Sequence, residues 1–289
     1  ADSLHAHDVV RFPRLFGAYA ARRGRDRSTR YGTYVIRRGA SWEGILHALQ
    51  TGEGIINRVT IPEGLPLWES LPIISEQLVI PLDSLEAAVR DPGLLTRLGV
   101  PTGTSTVEGY LFPETYDFPS QVTARFVVEQ MVTRFEQRWD PAWDARLIEV
   151  KMTRHQVVTL ASIVEKEAAV DDERPRMAGV YTYRLQLGQG LFADPTIIWV
   201  ADSAALRKLK LSKWASYEFW KFPAKPYSGL IPPRVPADLV PWNTFVRGGI
   251  PPAPLCSPSL ASIIAAREPD SSRKELYFVL IPDSGGRHD

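Results

Sequence analysis

The sequence predicts an α+β protein in which a small β-α-β module precedes a larger mixed α+β domain. Three observations carry this prediction. Residues 31–39, YGTYVIRRG, alternate with period two, and RVTIPEG at 58–64 reads as a second strand after a short amphipathic helix. Beyond residue 65, apolar residues recur at helical spacing in several segments punctuated by proline and glycine. Near the end, ELYFVLI at 275–281 is an apolar run suited to the interior of a sheet.

Taken in order, residues 1–30 predict a helix with Val9, Val10, Phe12, Leu15, Phe16 and Tyr19 as its apolar contacts. The arginine-rich turn at 22–30 reads as a solvated connector. In the module that follows, Ser41 caps the helix SWEGILHALQTG and Gly52 stops it. Tyr31, Tyr34 and Trp42 are its candidates for a stacking platform, and a spacer role fits equally well. Residues 65–106 read as a linking bundle of two helical segments. The block 107–118, VEGYLFPETYDF, is too broken for a regular helix. It sets Glu108 and Glu114 among Tyr110, Phe112, Tyr116 and Phe118, whose rings either stack on a ligand or plug a core. Residues 122–139 then form a plain amphipathic helix.

The chemistry centres on LASIVEKEAAVDDER, Leu160 to Arg174, which predicts a helix with acids set into an apolar surface. At 100° per residue Val157, Leu160, Ala161, Val164 and Ala168 share the face to be buried, and Glu167 borders it. A carboxyl leaving a helix through hydrocarbon is desolvated, which raises its pKa. An acid held protonated near neutral pH is what general-acid cleavage of a glycosidic bond needs. Glu165 points about 200° away around the same helix, so the two acids cannot flank one sugar bond as a glycosidase pair does. The alternative is an amphipathic helix with solvated acids along its border.

Beyond it, RMAGVYTYRLQLGQG predicts a second helix ending at Gly188 or Gly190, with Arg184 on its inner half. ADPTIIW at 193–199 predicts a tight turn presenting Asp194 and Thr196, or else Asp194 as a helix N-cap. Residues 201–240 carry Trp214, Tyr217, Phe219, Trp220 and Tyr227, which either extend a groove or form a packing flap. Asn243 and Thr244 open a rigid Pro/Gly-rich loop, and SPSLASIIAAREP predicts a helix opened by Ser257-Pro258.

SIVEKE, ERPRMAGV, YRLQLGQGL and ADPTIIW, with VEGYLFPETYDF before them and WNTFVRGGIPPAPLCSPSLASI and LYFV after, together resemble the endolytic murein transglycosylases of bacterial cell walls. The blocks run in that family's order from about residue 31 to 289. The resemblance implies a LysM-like module and linker at 31–80, after a membrane-proximal helix or connector at 1–30. It implies a catalytic domain at 81–289 with a lysozyme-like catalytic helix. It makes Glu167 the catalytic residue. Glu165, Glu108, Tyr110, Glu114, Thr115, Glu173, Arg184, Asp194, Thr196, Asn243 and Thr244 are implied along the substrate site. Two departures stand out: Ala168 replaces a Ser or Thr common in the family, and Tyr183 replaces an Asn. The implied substrate is the peptidoglycan glycan strand, cut to a 1,6-anhydro end, with cell-wall synthases as possible partners. A membrane anchor upstream of residue 1 is also implied.

Composition bounds the rest. A chain of 289 residues with 44% hydrophobic content has room for real cores. A net charge of +1 gives no case for nucleic acid. Lone Cys256 excludes an internal disulfide, the five histidines show no zinc-ligand spacing, and no metal or cofactor is expected. Two other functions stay open: a non-catalytic peptidoglycan-binding scaffold, and a hydrolase with Glu108, Glu114 or Asp194 as second carboxylate.

Overall fold

The computed structural model describes residues 1–26, 29, 32–52, 54–221, 235–270, 272–279 and 288. Tyr31, Tyr227, the end of the predicted apolar strand at 280–281 and Arg287 lie outside them. The fold is α+β, and the chain forms two compact units. One comprises Ala1–Val59, Gln77–Val79 and Thr115–Thr123; the other comprises Thr60–Glu76, Ile80–Glu114 and Ala124–Asp289.

In the first unit the predicted N-terminal helix is two pieces, α1 (Asp2–Ala6) and α2 (Pro13–Arg22). Pro13 explains the break, because proline fits a first helical turn and not an interior. Helix α3 (Trp42–Thr51) starts at Ser41, whose Oγ accepts from Gly44 N at 3.1 Å, and stops at Gly52 with φ 80°. Val10, Phe16 and Ala20 pack against Ile45 and Leu46 of α3, with Trp42 and Tyr19 at the margin. Trp42 meets the Phe16 and Tyr19 rings at 5.8 and 5.6 Å, so its indole is used in packing. The arginine-rich turn is tied down as well as solvated: Arg25 donates to Glu43 at 2.7 Å, beside a 2.9 Å bond from the Tyr19 hydroxyl.

The sheet has three strands in the order β1 (Thr33–Tyr34), β2 (Ile55–Thr60), β3 (Thr115–Pro119). β1 and β2 are antiparallel, with Thr33 opposite Ile56 and Tyr34 opposite Ile55. Arg58 on β2 grips Asp117 on β3 with bonds of 2.8 and 3.1 Å. The predicted strand, helix and strand are therefore present, and the first strand is only two residues long.

The second unit is helical. Helices α4 (Leu67–Leu78), α5 (Leu82–Ala88) and α6 (Pro92–Arg97) follow the predicted bundle. After them come α7 (Ala124–Arg138), α8 (Trp143–Val150), α9 (Arg154–Glu167), α10 (Arg174–Gln186), α11 (Asp194–Leu206) and α12 (Leu260–Arg267). Helix α9 is the centre, packed by α8, α10, α11 and α12. Three expectations are corrected here. ADPTIIW is no tight turn: α11 begins at Asp194 with Pro195 in its first turn, and the N-cap is Ala193. Helix α12 opens two residues later than Ser257-Pro258, at Ser259, whose side chain accepts from Ser262 N. Residues 272–279 form no strand, and Tyr277 and Val279 are 71% and 68% exposed, so the apolar run there is not inside a sheet.

Candidate active site

Helix α9 begins with a reciprocal cap. Thr153 Oγ1 accepts from Gln156 N at 3.2 Å while Gln156 Oε1 accepts from Thr153 N at 2.8 Å. Every residue from Val157 to Val164 is buried, so this helix is enclosed all round rather than along one stripe. Its polar members are satisfied: Thr159 Oγ1 donates to His155 O at 2.8 Å, and Ser162 Oγ donates to Thr159 O at 2.7 Å and accepts from Leu255 N at 2.9 Å. The helix ends at Glu167, short of the predicted Arg174. Ala168 turns extended, with ψ 117°, and a tight turn at Asp171–Glu173 leads into α10. Pro175 falls in the first turn of α10, where a proline is tolerated because its missing N–H would be unpaired anyway.

That ending fixes the chemistry of Glu167. Its side chain is half-buried, and Oε1 accepts a 2.8 Å bond from the hydroxyl of the fully buried Tyr181 on α10. Its carboxyl is pushed up to about 7, chiefly by burial and also by nearby Asp194, against the Tyr181 bond, His288 and Arg184, which pull it down. The last turn of a helix carries the negative end of its dipole, which also disfavours a carboxylate. The Tyr181 hydroxyl is itself driven well above the usual phenol range by burial and by Glu167, so it remains a donor.

Glu165, two residues earlier, does different work. Its Oε2 accepts from Arg174 Nη1 at 3.1 Å, from Ser259 N and Oγ at 3.0 and 2.6 Å, and from Ser262 Oγ at 2.7 Å. Its side chain is 7% exposed and that of Arg174 10%. This acid therefore joins α9, α10 and the start of α12 through one oxygen.

Other candidate residues divide between the neighbourhood of Glu167 and separate structural positions. Asp194 is exposed at the first turn of α11, close enough to act on Glu167 electrostatically. Arg184 is buried, donating from Nε to Leu276 O at 2.7 Å and from Nη1 to Leu191 O. Glu173 accepts from His288 N at 2.7 Å and faces its Nδ1 at 3.0 Å. Thr196 and Thr244 are buried with their hydroxyls 3.0 Å apart, and Thr244 Oγ1 accepts from Ala193 N at 3.0 Å, which pins the start of α11. Buried Asn243 accepts from Phe245 N at 3.0 Å through Oδ1.

The block 107–118 holds the remaining candidates. Glu108 is buried, accepting from Leu67 N at 3.0 Å and Gly109 N at 3.2 Å, so it serves the first turn of α4. Burial raises its carboxyl to about 8 against those two bonds. Glu114 is held by Arg134 and Arg138 at 2.8 and 2.5 Å, and Thr115 is exposed on β3. Tyr110, Phe112, Tyr116 and Phe118 are all buried, so none turns a ring face to solvent. The Tyr110 hydroxyl meets His155 Nδ1 at 2.9 Å, and His155 Nε2 meets Pro252 O at 2.8 Å. Gly109 in this block has φ 85°, and a Cβ there would come within 2.5 Å of Pro254.

Along its whole length, residues 1–289, the chain matches the model of the YceG-like family. It belongs to that family. Its relatives include an endolytic murein transglycosylase of Bacillus subtilis, 24% identical over 96% of this chain and 74% of that protein. Another is an endolytic murein transglycosylase of Streptococcus pneumoniae, 25% identical over 96% of this chain; the chain spans 51% of that longer protein. A YceG-like protein of Listeria monocytogenes with a crystal structure shares the fold at a TM-score of 0.64, with 23% identity over 96% of this chain and 87% of that one.

Within this YceG-like chain, several site features had escaped the sequence reading. Tyr181 is the foremost; its signal was the spacing to Arg184, three residues on and on the same helical face. Phe192 and Phe245, each almost half exposed, meet edge-to-face at 5.6 Å beside Asp194 and Thr244. No periodicity marks that pair, because both rings sit in irregular segments. His155 and the Ser259–Ser262 clamp also join segments far apart in sequence.

Proposed function

We propose that the chain is a lytic transglycosylase that cuts the N-acetylmuramic acid-β-1,4-N-acetylglucosamine bond of peptidoglycan without consuming water. The observation that carries this reading is Glu167: one half-buried carboxyl, poised at about 7 at the end of a buried helix, with a phenol hydroxyl at 2.8 Å. In the protonated form it gives its proton to the bridging oxygen as the C1–O bond breaks. The resulting carboxylate takes the proton of the muramoyl 6-hydroxyl while that oxygen bonds to C1, and the proton count closes. Because the nucleophile lies within the same sugar, the step gains the advantage of an intramolecular reaction. The names of the Bacillus and pneumococcal relatives agree with this chemistry. On this reading the glycan strand is the substrate, cell-wall synthases are its partners, and the domain works outside the cytoplasm from an anchor upstream of residue 1. Among the described residues, no helix is long and apolar enough to cross a membrane.

One observation favours a second reading. Asp194 is exposed and coupled to Glu167, so it could activate a water and make the enzyme a two-carboxylate hydrolase. Glu108 and Glu114 are bonded to backbone N–H groups and to arginines, respectively. Product analysis decides between the two. Digestion of purified peptidoglycan should give anhydromuramoyl ends, lighter by one water than reducing ends, and Glu167→Gln should lose on the order of 10²–10⁴-fold in rate. Reducing ends as the main product, lost on Asp194→Asn, would establish the hydrolase.

A further inference from the structure

Charge is unevenly spread along the chain. Residues 1–30 hold seven arginines against three aspartates, whereas the whole chain carries only +1, so residues 31–289 bear a small net negative charge. Helix α2 lies in the middle of the basic stretch and contains no acid, since Asp2, Asp8 and Asp26 all fall outside it. One side of α2 packs into the core of its own unit, where Phe16 and Ala20 meet Val10, Ile45 and Leu46. The other side is open. Arg14, Leu15, Ala18 and Arg22 follow one another at helical spacing along it, and all four are exposed. Leu15 is 60% exposed, and Phe12, just before the helix, is 52% exposed with the Arg11 guanidinium 5.4 Å from its ring centroid. The arginines divide into two sets. Arg23 and Arg25 pair with Glu43 at 3.3 and 2.7 Å, while Arg11, Arg14 and Arg22 form no ion pair among the described residues.

We propose that this open face of α2 rests on a membrane surface rich in anionic lipid headgroups. Two features select that partner. The three guanidinium groups without an ion pair complement a layer of lipid phosphates, and each basic residue near such a surface adds to the attraction. Phe12 and Leu15 select a bilayer over a dissolved polyanion, because exposed apolar side chains gain by entering the boundary between headgroups and acyl chains. Arginine can lay its stem along apolar surface while its charge stays at headgroup level, so Arg11 and Phe12 are accommodated together. A helix of ten residues is about 15 Å long, so the contact is small and weak by itself. An anchor upstream of residue 1 would raise its local concentration at the bilayer, and a weak contact would then suffice to set which side of the first unit faces the lipid. The inference goes beyond the transglycosylase reading and is independent of the chemistry assigned to Glu167.

The test is flotation of the full chain with vesicles of about one third phosphatidylglycerol in phosphatidylcholine, against vesicles of phosphatidylcholine alone. The chain should float with the anionic vesicles only. Its bound fraction should fall as salt rises from about 0.1 M to about 1 M, because the screening length shrinks from about 10 Å to about 3 Å. Arg14→Gln and Arg22→Gln should each weaken partitioning about fivefold, and Leu15→Ala about threefold. These positions are exposed, so the melting temperatures should match the parent's. Arg125→Gln, which removes an equal charge from an exposed site on α7, should bind like the parent. Equal flotation with neutral vesicles, no flotation with anionic ones at millimolar lipid, or an Arg125→Gln loss as large as that of Arg14→Gln would each overturn the proposal. Displacement by polyphosphate without any effect of Leu15→Ala would make the face a site for soluble polyanions and overturn it too. Peptidoglycan cleavage by a chain that does not float would remove this inference alone, and flotation without cleavage would remove only the transglycosylase reading.

Discussion

Replacing Tyr181 with Phe keeps the ring, including its edge-to-face contact with Phe278 at 5.7 Å, and removes the one hydroxyl that bonds Glu167. The size of the effect follows from what that bond favours. A hydrogen bond to an ionised group is worth about 1.5–3 kcal/mol and one to a neutral group about 0.5–1.5. The difference, about 1 to 1.5 kcal/mol, corresponds to about one pH unit at 1.36 kcal/mol per unit. The lost bond stabilised the anion, so the Glu167 carboxyl should rise from its present value of about 7. Since the reaction needs the protonated form, wild-type kcat/KM on peptidoglycan should fall as pH rises through about 7. In Tyr181→Phe the same alkaline limb should lie about one unit higher. Stability carries the same sign. A folded value raised above the unfolded one contributes most below about 4.5 and is lost as pH climbs through about 7, later in the variant. An alkaline limb that stays in place or moves down would refute the assignment of Glu167 as the acid.

Glu165→Gln should act on stability rather than on proton transfer. It strips the buried Arg174 of its buried partner and should cost about 3 kcal/mol in urea denaturation, and an unchanged midpoint would remove Glu165 from its joining role. His155 is held below the usual imidazole range by burial, with its Pro252 bond opposing. The stability it contributes is therefore present above about 6.5 and lost as pH falls below that, so the parent should lose stability more steeply toward pH 5 than His155→Gln, as followed by thermal melts. Gly109→Ala should destabilise by about 2 kcal/mol or more, because it combines a left-handed backbone with a Cβ 2.5 Å from Pro254; a melting temperature equal to the parent's would refute the clash.

The local elements were readable wherever caps and breakers fix them. Ser41 and Gly52 bound α3 as expected, and the periodicity of 122–139 gave α7. What misled were patterns whose meaning depends on tertiary partners. The run 160–174 keeps a helical period across Ala168, and the return of Arg174 to Glu165 that accompanies the break is a contact no period reveals. Apolar Tyr277 and Val279 resembled a buried strand, yet among the described residues 272–279 none is in a strand and these two are exposed. At the site, desolvation of Glu167 was inferred from its place beside the apolar stripe, because burial of α9 follows from composition. The Tyr181 bond and the clamp on Glu165 join segments separated by 14 to more than 90 residues, and no spacing rule reaches that far.

Because α9 stops at Glu167, its ionised form is an anion at the negative pole of a helix, in a half-buried setting with the Tyr181 hydroxyl as its donor. Burial offsets that bond and leaves the carboxyl at about 7, so acid and carboxylate lie close in free energy near neutral pH. On the proposed reaction, the carboxylate created by giving up its proton therefore takes one back from the hydroxyl closing onto the sugar at little cost. The residue ends each turnover in the form in which it began.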